Sequence, residues 1–509
     1  MTIPRATTAA LAIALAPVSP AEASEALLGE ACSVCHTATD AGLSRIAEQR
    51  KSPEGWLMTI VRMRQFHGAE IDVGTQAELV AYLSDTQGLA PAEAAPFRYA
   101  PERDPSTIEG FEQDFAEMCA RCHTGARAVL QRRTAEEWAL LMEFHVGQFP
   151  TIEYQALGRD REWYAIARNQ IAGYLAEKYP LDTAEWREWA AADWPEPNGD
   201  WIVLTELPGL GQAYGRLTVS GDAMPYTLSG EMRLADGSSA TVSGQMNFYT
   251  GYEWRANIEV GDRAMRQVLA VSDDGARLSG RQFDRVQDSL GAALVGVRAG
   301  SDSAILGIVP EAARGREAVV QIVGTGLDEV SVEGAALDAL AANDFGATAE
   351  LASDAEGRVR LQAGESTGSF AFFEQPDRIS IEPEFTIARI GGGGPDSPAP
   401  MPASFRAVAW WNGPDEEPGT EDDIRIGMID ADWSTGNLHE IAEAMRDAEF
   451  AGAIGTDGIF IPGPAGPNPE RLFSANNVGE LEITAEAMGL SATATLIVTV
   501  QRFIDPPLR

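Results

Sequence analysis

The feature that most constrains this chain is a short cysteine-histidine motif that occurs twice. CSVCHT at residues 32–37 is followed 87 positions later by CARCHT at residues 119–124, and a histidine, His36 or His123, directly follows each cysteine pair. This pattern attaches haem c: the two thiols form thioethers with the porphyrin and the histidine binds iron. One such motif can arise by chance or hold a bare metal ion, whereas two in one chain predict two covalently bound haems. The motifs contain all four cysteines of the chain, which are Cys32, Cys35, Cys119 and Cys122.

The sequence around the motifs repeats as well, which predicts two copies of one cytochrome c-like helical unit. Each copy has a tryptophan-bearing helix, SPEGWLMTIVRMRQFHG in the first and TAEEWALLMEFHVGQF in the second, and a later helix with Tyr-Leu. When Trp56 is aligned with Trp138, Met63 and His145 each lie seven positions after their tryptophan. We therefore expect Met63 to be the sixth iron ligand of the first haem and His145 that of the second.

Other side chains compete for these roles. His67 lies four residues after Met63 on the same helix face and is the alternative ligand of the first haem, and Met142 lies three residues before the second candidate ligand. Met63 also has the spacing of an ordinary core residue. Arg45 and Arg127 follow the two motifs, and each is either a partner of the haem propionates or a solvated arginine.

The two ligand sets predict different reduction potentials. A methionine ligand raises the potential of a haem relative to a second histidine. The haem held by His123 and His145 is therefore expected to have the lower potential, and electrons are expected to pass from it to the haem held by His36 and Met63.

The character of the sequence changes near residue 195. Earlier residues show helical spacing of apolar positions, whereas later ones show period-two runs separated by Asp-Gly turns, which is typical of β-hairpins. ILGIVPEAARGREAVVQIVGTGL at 305–327 resembles the start of an immunoglobulin-like domain, and GGGGPDSPAP at 391–400 has the composition of a flexible linker. We predict a multidomain α plus all-β chain, in which a duplicated cytochrome c-like helical domain precedes a β-barrel and two immunoglobulin-like β-sandwiches. The predicted boundaries are 24–185 for the helical domain, 195–303 for the barrel, and 304–390 and 391–509 for the sandwiches.

The N-terminus and the net charge indicate where the chain acts. Residues 1–23 combine an arginine, a short apolar stretch and Ala-Glu-Ala, which is typical of a cleaved signal peptide, with a buried helix as the alternative. The formal charge of -38 argues against nucleic acids and anionic membranes as partners. No apolar run reaches the ~18 residues that a membrane span requires. The sequence therefore predicts an exported protein without a membrane span.

The β region carries few chemical motifs. Residues 200–509 contain no nucleophile motif, phosphate loop or histidine-rich cluster. The acidic stretch NGPDEEPGTEDDIRIG at 412–427 could bind calcium through its carboxylates, but its spacing does not match an EF-hand, and a solvated loop is the favoured alternative. We therefore interpret the β region as a scaffold.

The whole mature chain resembles the α subunit of quinohaemoprotein amine dehydrogenase. The resemblance rests on the duplicated motif, the four-domain order and the stretches ILGIVPEAARGREAVVQIVGTGL, NGPDEEPGTEDDIRIG and AGPNPERLFSANNVGEL. It implies a periplasmic heterotrimer that oxidises primary amines to aldehydes and ammonia, with cysteine tryptophylquinone in a small partner subunit and a β-propeller subunit as the third chain. It also implies that this chain carries electrons through two haems c to a soluble acceptor, such as a blue copper protein or a cytochrome c.

Two other classes of protein remain as alternatives. A free-standing dihaem cytochrome c or peroxidase-type protein with a β scaffold would share the haem motifs, but a peroxidase needs an open or displaceable sixth position. The two candidate sixth ligands argue against that. An adhesive protein would share the immunoglobulin-like domains, but it has no use for haem.

Overall fold

The computed structural model describes residues 20–155, 158–234, 236–392 and 397–500. Residues 1–19 of the predicted signal peptide and residues 393–396 of the predicted linker lie outside this part of the chain. Within the described residues, no helix combines the length and apolar character needed to cross a bilayer.

The first helical unit surrounds the first motif. Its elements are α1 (Pro20–Cys32), β1 (Ala38–Thr39), β2 (Gly42–Leu43), β3 (Gln49–Lys51), α2 (Pro53–His67), α3 (Val73–Thr86), α4 (Pro91–Ala94) and a 3-10 turn (Ala95–Phe97). Helix α2 begins after Ser52, whose Oγ accepts a hydrogen bond from Gly55 N at 3.3 Å. The helix ends at Gly68, which has a φ of 70°. Trp56 is buried, and its Nε1 donates to Gln87 O at 3.0 Å, which ties α2 to the end of α3.

The second helical unit repeats this arrangement. Its elements are α5 (Gln113–Cys119), α6 (Ala126–Val129), β4 (Gln131–Arg133), α7 (Ala135–Gln148), α8 (Trp163–Ile166), a π-helical segment (Ala167–Ile171), α9 (Ala172–Lys178) and α10 (Ala184–Ala190). Thr134 caps α7 by accepting a hydrogen bond from Glu137 N at 3.2 Å. Trp138 is buried, and its Nε1 donates to Tyr179 O at 3.1 Å. The equivalence of α2 and α7 in the internal alignment is therefore matched by their caps and by their tryptophan contacts.

A short antiparallel pair of strands joins the two units. Strand β3 pairs with β4, with Arg50 opposite Arg132. Both arginines are buried and both bind Glu93, at 2.8 Å and 3.1 Å between nitrogen and carboxylate oxygen. Equivalent residues of the two copies thus share one buried carboxylate, which binds both guanidinium groups.

Eight of the described strands form a closed antiparallel barrel after the helical domain. They are β5 (Gly199–Leu207), β6 (Gly211–Ser220), β7 (Tyr226–Leu234), β8 (Ser239–Tyr249), β9 (Glu253–Val260), β10 (Arg263–Val271), β11 (Arg277–Asp284) and β12 (Gly291–Arg298). The Asp-Gly pairs at 236–237 and 274–275 lie at the turns of the β7–β8 and β10–β11 hairpins, as predicted. Trp201 and Trp254 are fully buried in the barrel core, with their rings 6.1 Å apart. Inward-facing residues alternate with exposed ones, so the interior is packed with side chains.

Two four-stranded sheets follow the barrel and enclose a core that includes Ile322, Leu361 and Phe372. The first contains β13 (Ala304–Val309), β15 (Glu317–Thr325), β17 (Ala336–Asn343) and β18 (Gly346–Ala352). The second contains β14 (Ala312–Arg314), β16 (Ser331–Glu333), β19 (Gly357–Ala363) and β20 (Ser366–Phe373). The immunoglobulin-like topology that we expect for this region stays a prediction.

The last part of the chain forms three further sheets. Its elements are β21 (Arg378–Glu382), β22 (Phe385–Ile390), β23 (Ala403–Ser404), β24 (Arg406–Trp411), β25 (Ile424–Ile429), β26 (Asp432–Asn437), α11 (Glu440–Met445), α12 (Asp447–Phe450), β27 (Gly452–Ile454), β28 (Ile459–Pro462), a 3-10 turn (Leu472–Ser474), β29 (Gly479–Ala487) and β30 (Leu490–Val500). Strand β21 pairs with β24, and β22 pairs in parallel with β30. The glycine-rich run therefore lies inside this last unit and does not precede it, which corrects the predicted boundary at 390/391 to a position near residue 378.

The barrel packs against the first helical unit through polar contacts. Arg255 of β9 pairs with Glu54 at the start of α2, at 2.6 Å between Nε and Oε1. Thr250 N donates to Asp85 Oδ1 at 2.6 Å at the end of α3. Tyr252 is buried, and its hydroxyl donates to Leu89 O at 3.1 Å. The barrel thus holds α2, which carries Trp56, and the end of α3, which Trp56 contacts.

Candidate haem sites

The first motif lies at the end of α1. His36 N donates to Cys32 O at 3.0 Å, so the motif closes one turn and brings its histidine back toward the cysteines. His36 Nδ1 lies 2.8 Å from Ser44 O; because a carbonyl only accepts, Nδ1 carries the hydrogen. Burial and the neighbouring Cys35 raise the pKa of the Cys32 thiol. Cys35 is exposed, so this motif stands partly open to solvent.

The second motif lies at the end of α5 and is more enclosed. Burial, followed by the effect of Cys122, raises the pKa of the Cys119 thiol to about 12. Gln155 Nε2 donates to Cys122 Sγ at 3.6 Å. His123 Nδ1 donates to Thr124 O at 2.8 Å, as His36 does to Ser44. In both motifs a backbone carbonyl therefore fixes the tautomer that presents Nε2 to a metal.

Helix α2 presents the candidate ligands of the first site. Met63 is partly buried, whereas His67, one turn later and at the end of the helix, is exposed. No hydrogen bond joins either residue to His36 in the part of the chain that the structure describes. The geometry thus keeps Met63 within the folded unit and leaves His67 toward solvent.

Helix α7 presents His145 in an enclosed position. Its Nδ1 donates to Leu141 O at 2.7 Å, and its ring lies 5.4 Å from that of Trp163. Burial lowers the pKa of His145 to about 4, and the charge of His123 adds to this shift. Met142, the competing side chain, packs in the core with 3 % of its surface exposed.

These donor sets fit covalently bound haem. Each site combines two thiols outside any disulfide, a histidine with a fixed tautomer and a second helix that carries a soft sulfur or an imidazole nitrogen. The described residues contain no group of three or more His, Cys, Asp or Glu side chains arranged for a bare metal ion. Haem, whose porphyrin supplies four of the iron ligands itself, needs only axial ligands from the protein, and each motif contains one candidate in its histidine.

Comparison with known families identifies the chain. Residues 22–186 match the family described as "Quinohemoprotein amine dehydrogenase A, alpha subunit, haem binding". Residues 195–299 and 379–508 match "Quinohemoprotein amine dehydrogenase, alpha subunit" domain II and domain IV, respectively. The chain belongs to the quinohaemoprotein amine dehydrogenase alpha-subunit family. It is therefore a haem-binding subunit of an oxidoreductase complex, as the resemblance implied.

Other comparisons add little to this family membership. No curated protein matches the chain. Among solved structures, a de novo designed fluorescence-activating beta barrel is similar at 14% identity over 20% of this chain and 92% of its own length, with a TM-score of 0.17. The human Desmocollin-1 ectodomain is similar at 10% identity over 59% of this chain and 74% of its own length, with a TM-score of 0.16. At these TM-scores neither likeness supports an argument.

A group of basic residues lies between the two sites of this alpha-subunit family member. Glu137 is fully buried and pairs with Arg45 at 2.7 Å and with Arg133 at 3.2 Å. Arg45 thus binds a carboxylate of the protein itself, while 53 % of its side-chain surface stays exposed. Lys51 is buried, donates from Nζ to Thr59 Oγ1 at 2.6 Å, and has its pKa lowered well below the usual range by burial. Our sequence analysis missed this group, although the repeat of Gln-Arg-Lys as Gln-Arg-Arg, 82 positions apart, indicates it.

Two further arginines lie near the second site. Arg62 of α2 extends toward the second unit, where its Cζ lies 5.0 Å from the ring centroid of Phe144. Burial and then the charge of Arg127 lower the pKa of Arg62 to about 10. The charges of both arginines also act on His145. Arg127 of the second unit and Arg62 of the first thus both act on His145, and the role of Arg127 as a propionate partner stays a prediction.

The acidic loop at 412–427 is held by the protein itself. Asp423 pairs with Arg378 at 2.6 Å and accepts a hydrogen bond from Gly419 N at 2.8 Å. Asp422 accepts a hydrogen bond from Thr420 Oγ1 at 2.7 Å and Asp415 accepts one from Glu417 N at 2.9 Å, so contacts within the protein hold three carboxylates of the loop.

Proposed function

We propose that this chain is the electron-transfer subunit of a periplasmic primary-amine dehydrogenase and that it carries two covalently bound haems c. The observation that carries the proposal is the match of residues 22–186 to the haem-binding family, in a region that presents two complete motifs. Cys32 and Cys35 would hold the first haem, and Cys119 and Cys122 the second. A haem bound in this way supplies a reversible one-electron couple.

The residues of the chain would divide the ligand roles as the internal alignment predicts. His36 and His123 would be the proximal ligands, which is supported by their Nδ1 hydrogen bonds to backbone carbonyls. His145 would be the sixth ligand of the second haem, supported by its enclosed position against Trp163 and by its Nδ1 hydrogen bond to Leu141 O. Met63 would be that of the first, supported by its position inside the unit. The second haem would then have the lower potential and donate to the first.

The two sites would match the chemistry of amine oxidation. Conversion of a primary amine and water to an aldehyde and ammonia releases two electrons and two protons. The two one-electron sites of this chain would accept both electrons. By the family resemblance, these electrons would come from cysteine tryptophylquinone in a small partner subunit. The same resemblance implies that a β-propeller subunit completes a heterotrimer. It also implies that the soluble electron acceptor is a blue copper protein or a cytochrome c. The protein scaffold needs no amine-binding base of its own in this scheme.

The first experiment is an anaerobic titration of the complex purified from the native periplasm. A simple primary amine is added while the haem absorption bands are recorded, and haem content is measured per chain. Two haems per chain that both become reduced support the proposal. Haems that stay oxidised with amine but are reduced by dithionite overturn it and point to a dihaem protein of another class, for which peroxide turnover is the next measurement.

A pair of variants tests the sixth ligand of the first haem. We expect Met63→Ala to change the absorption spectrum and potential of the first haem, because it removes the axial sulfur. His67→Ala should leave both unchanged, because this side chain is exposed. The reverse pattern would make His67 the ligand.

A further inference from the structure

The two helical units touch through residues that the internal alignment makes equivalent. Arg62 and Phe144 are 82 positions apart, as are Trp56 and Trp138, and they contact each other across the two units. Each is the chain neighbour that precedes a candidate ligand, Met63 or His145. The contact therefore lies near the pseudo-two-fold axis that relates the units.

This contact gives a short route between the two candidate ligands. Met63 is bonded to Arg62 through one peptide link, and Phe144 is bonded to His145 through another. A single through-space step, from the Arg62 guanidinium to the Phe144 ring at 5.0 Å, separates these two covalent segments. A cation held over an aromatic face is attracted by the negative charge of the ring face, so this contact is stabilised in its own right.

The charge of Arg62 is not balanced by a carboxylate. Burial and the positive charge of Arg127 are the influences on Arg62, and among the described residues no carboxylate forms an ion pair with it. The nearby buried carboxylate, Glu137, is occupied by Arg45 and Arg133. A fixed positive charge from the first unit thus stands beside the second site, within a chain whose net charge is -38.

We infer that Arg62 is a positioning residue for the second haem: it is supplied by the first unit, fixes α2 against α7 through Phe144, and raises the reduction potential of the haem held by His123 and His145. The physical reason is that ferric haem carries one positive charge more than ferrous haem, so a neighbouring cation favours the ferrous state. Arg62 thereby reduces the difference in potential that the two ligand sets create. This inference rests on the proposed function, since it requires a haem at each motif.

The electron-transfer step is balanced without further reactants. With a haem at each motif, one electron would pass from the haem held by His123 and His145, which would be oxidised, to the haem held by His36 and Met63, which would be reduced. No bond forms or breaks in the protein. Arg62 keeps its charge throughout and changes only the equilibrium of this exchange.

The test compares Arg62→Gln, Arg62→Lys and a control, Arg64→Gln, in the intact complex. Arg64 lies on the same helix, but its Nη1 donates to Gln76 Oε1 of α3 at 2.7 Å, away from α7. Haem content per chain and both reduction potentials are measured by spectroelectrochemical titration. We expect Arg62→Gln to retain two haems and to lower the ferrous-to-ferric ratio of the second haem about tenfold at a fixed potential, which is about 59 mV.

The other variants make the result decisive. Arg62→Lys keeps the charge and should restore most of the potential, whereas Arg64→Gln should leave the second haem unchanged. An unchanged second potential in Arg62→Gln, or a change of equal size in Arg64→Gln, would overturn the inference. A preparation of the unmodified complex without two haems would instead contradict the proposed function.

Discussion

The two helical units share their tryptophan helices but enclose their motifs to different degrees. In the first unit, Cys35 is exposed and the neighbouring Val34 has 86 % of its surface exposed. In the second, His145 lies against Trp163, and burial shifts the pKa of both His145 and Cys119. The difference comes from residues 149–171, which have no counterpart of similar length in the first unit. The repeated sequence therefore builds the same support twice, and the added segment covers one site and leaves the other accessible.

The units also differ in what they attach to. The end of α3 in the first unit packs against the barrel through Asp85, whereas the equivalent part of the second unit, at Glu177, is exposed. The first unit thus combines an open motif with a rigid attachment.

The largest effect should come from the shared tryptophans. Trp56→Ala and Trp138→Ala each remove a fully buried ring and its hydrogen bond to a backbone carbonyl, and each should cost about 3–5 kcal/mol of stability. The measurement is the denaturant midpoint of the helical domain, followed by far-UV circular dichroism. If one variant costs less than about 1 kcal/mol, the two helices are not structurally equivalent.

Much of this comparison could be predicted from the sequence, and some could not. The capped tryptophan helices and the hairpins at the Asp-Gly turns were predictable, because short-range spacing and turn chemistry determine them. The β3–β4 pair, the parallel pairing of β22 with β30 and the closure of the barrel join residues far apart in the chain. Local periodicity carries no information about such pairs, which is why the boundary at 390/391 was wrong. The ligand assignments and the signal peptide stay predictions.

The next effect concerns Glu137, a buried carboxylate of the second unit whose equivalent position in the first unit is Gly55. Glu137→Gln leaves Arg133 buried without its partner and should cost about 3 kcal/mol. Glu136→Gln changes an exposed neighbour on the same helix and should cost less than about 0.5 kcal/mol. Both are measured by chemical denaturation at pH 7. Equal costs for the two variants would mean that Glu137 does not balance the basic group between the sites.

A smaller effect concerns how stability changes with pH, and it should arise from Asp85 in the first unit. Burial raises the pKa of Asp85 from an ordinary 3.8 to about 6. The folded protein therefore binds the Asp85 proton more tightly than the unfolded chain does. The resulting contribution to the free energy of unfolding is complete below about pH 4 and is lost as the pH rises through about 6. Asp85→Asn should remove this dependence and add about 1–2 kcal/mol at pH 7, less than the full shift implies because Asp85 is partly exposed.

The control for this pH effect comes from the second unit. Glu177→Gln changes an exposed side chain and should follow the unmodified protein between pH 4 and 7. Stability is measured as the difference between variant and parent at each pH, so that the other titrating groups cancel. A pH dependence that persists in Asp85→Asn would place its origin elsewhere in the interface with the barrel.

The smallest effect tests why the first unit has a glycine where the second unit has the charged Glu137. The position equivalent to Glu137 in the first unit is Gly55, where an added Cβ would lie 2.9 Å from Lys51 Cβ. In an open helix, glycine to alanine stabilises by about 0.5–1 kcal/mol, and Gly173→Ala in α9, with nothing within 4 Å of the new atom, should show this gain. Gly55→Ala should instead lose about 1 kcal/mol, because the crowding outweighs the helix gain. Thermal unfolding measures both changes in stability and should show opposite signs. If both variants become more stable, Lys51 can move aside, and the tight contact between α2 and β3 does not explain why Gly55 stands where the second unit has Glu137.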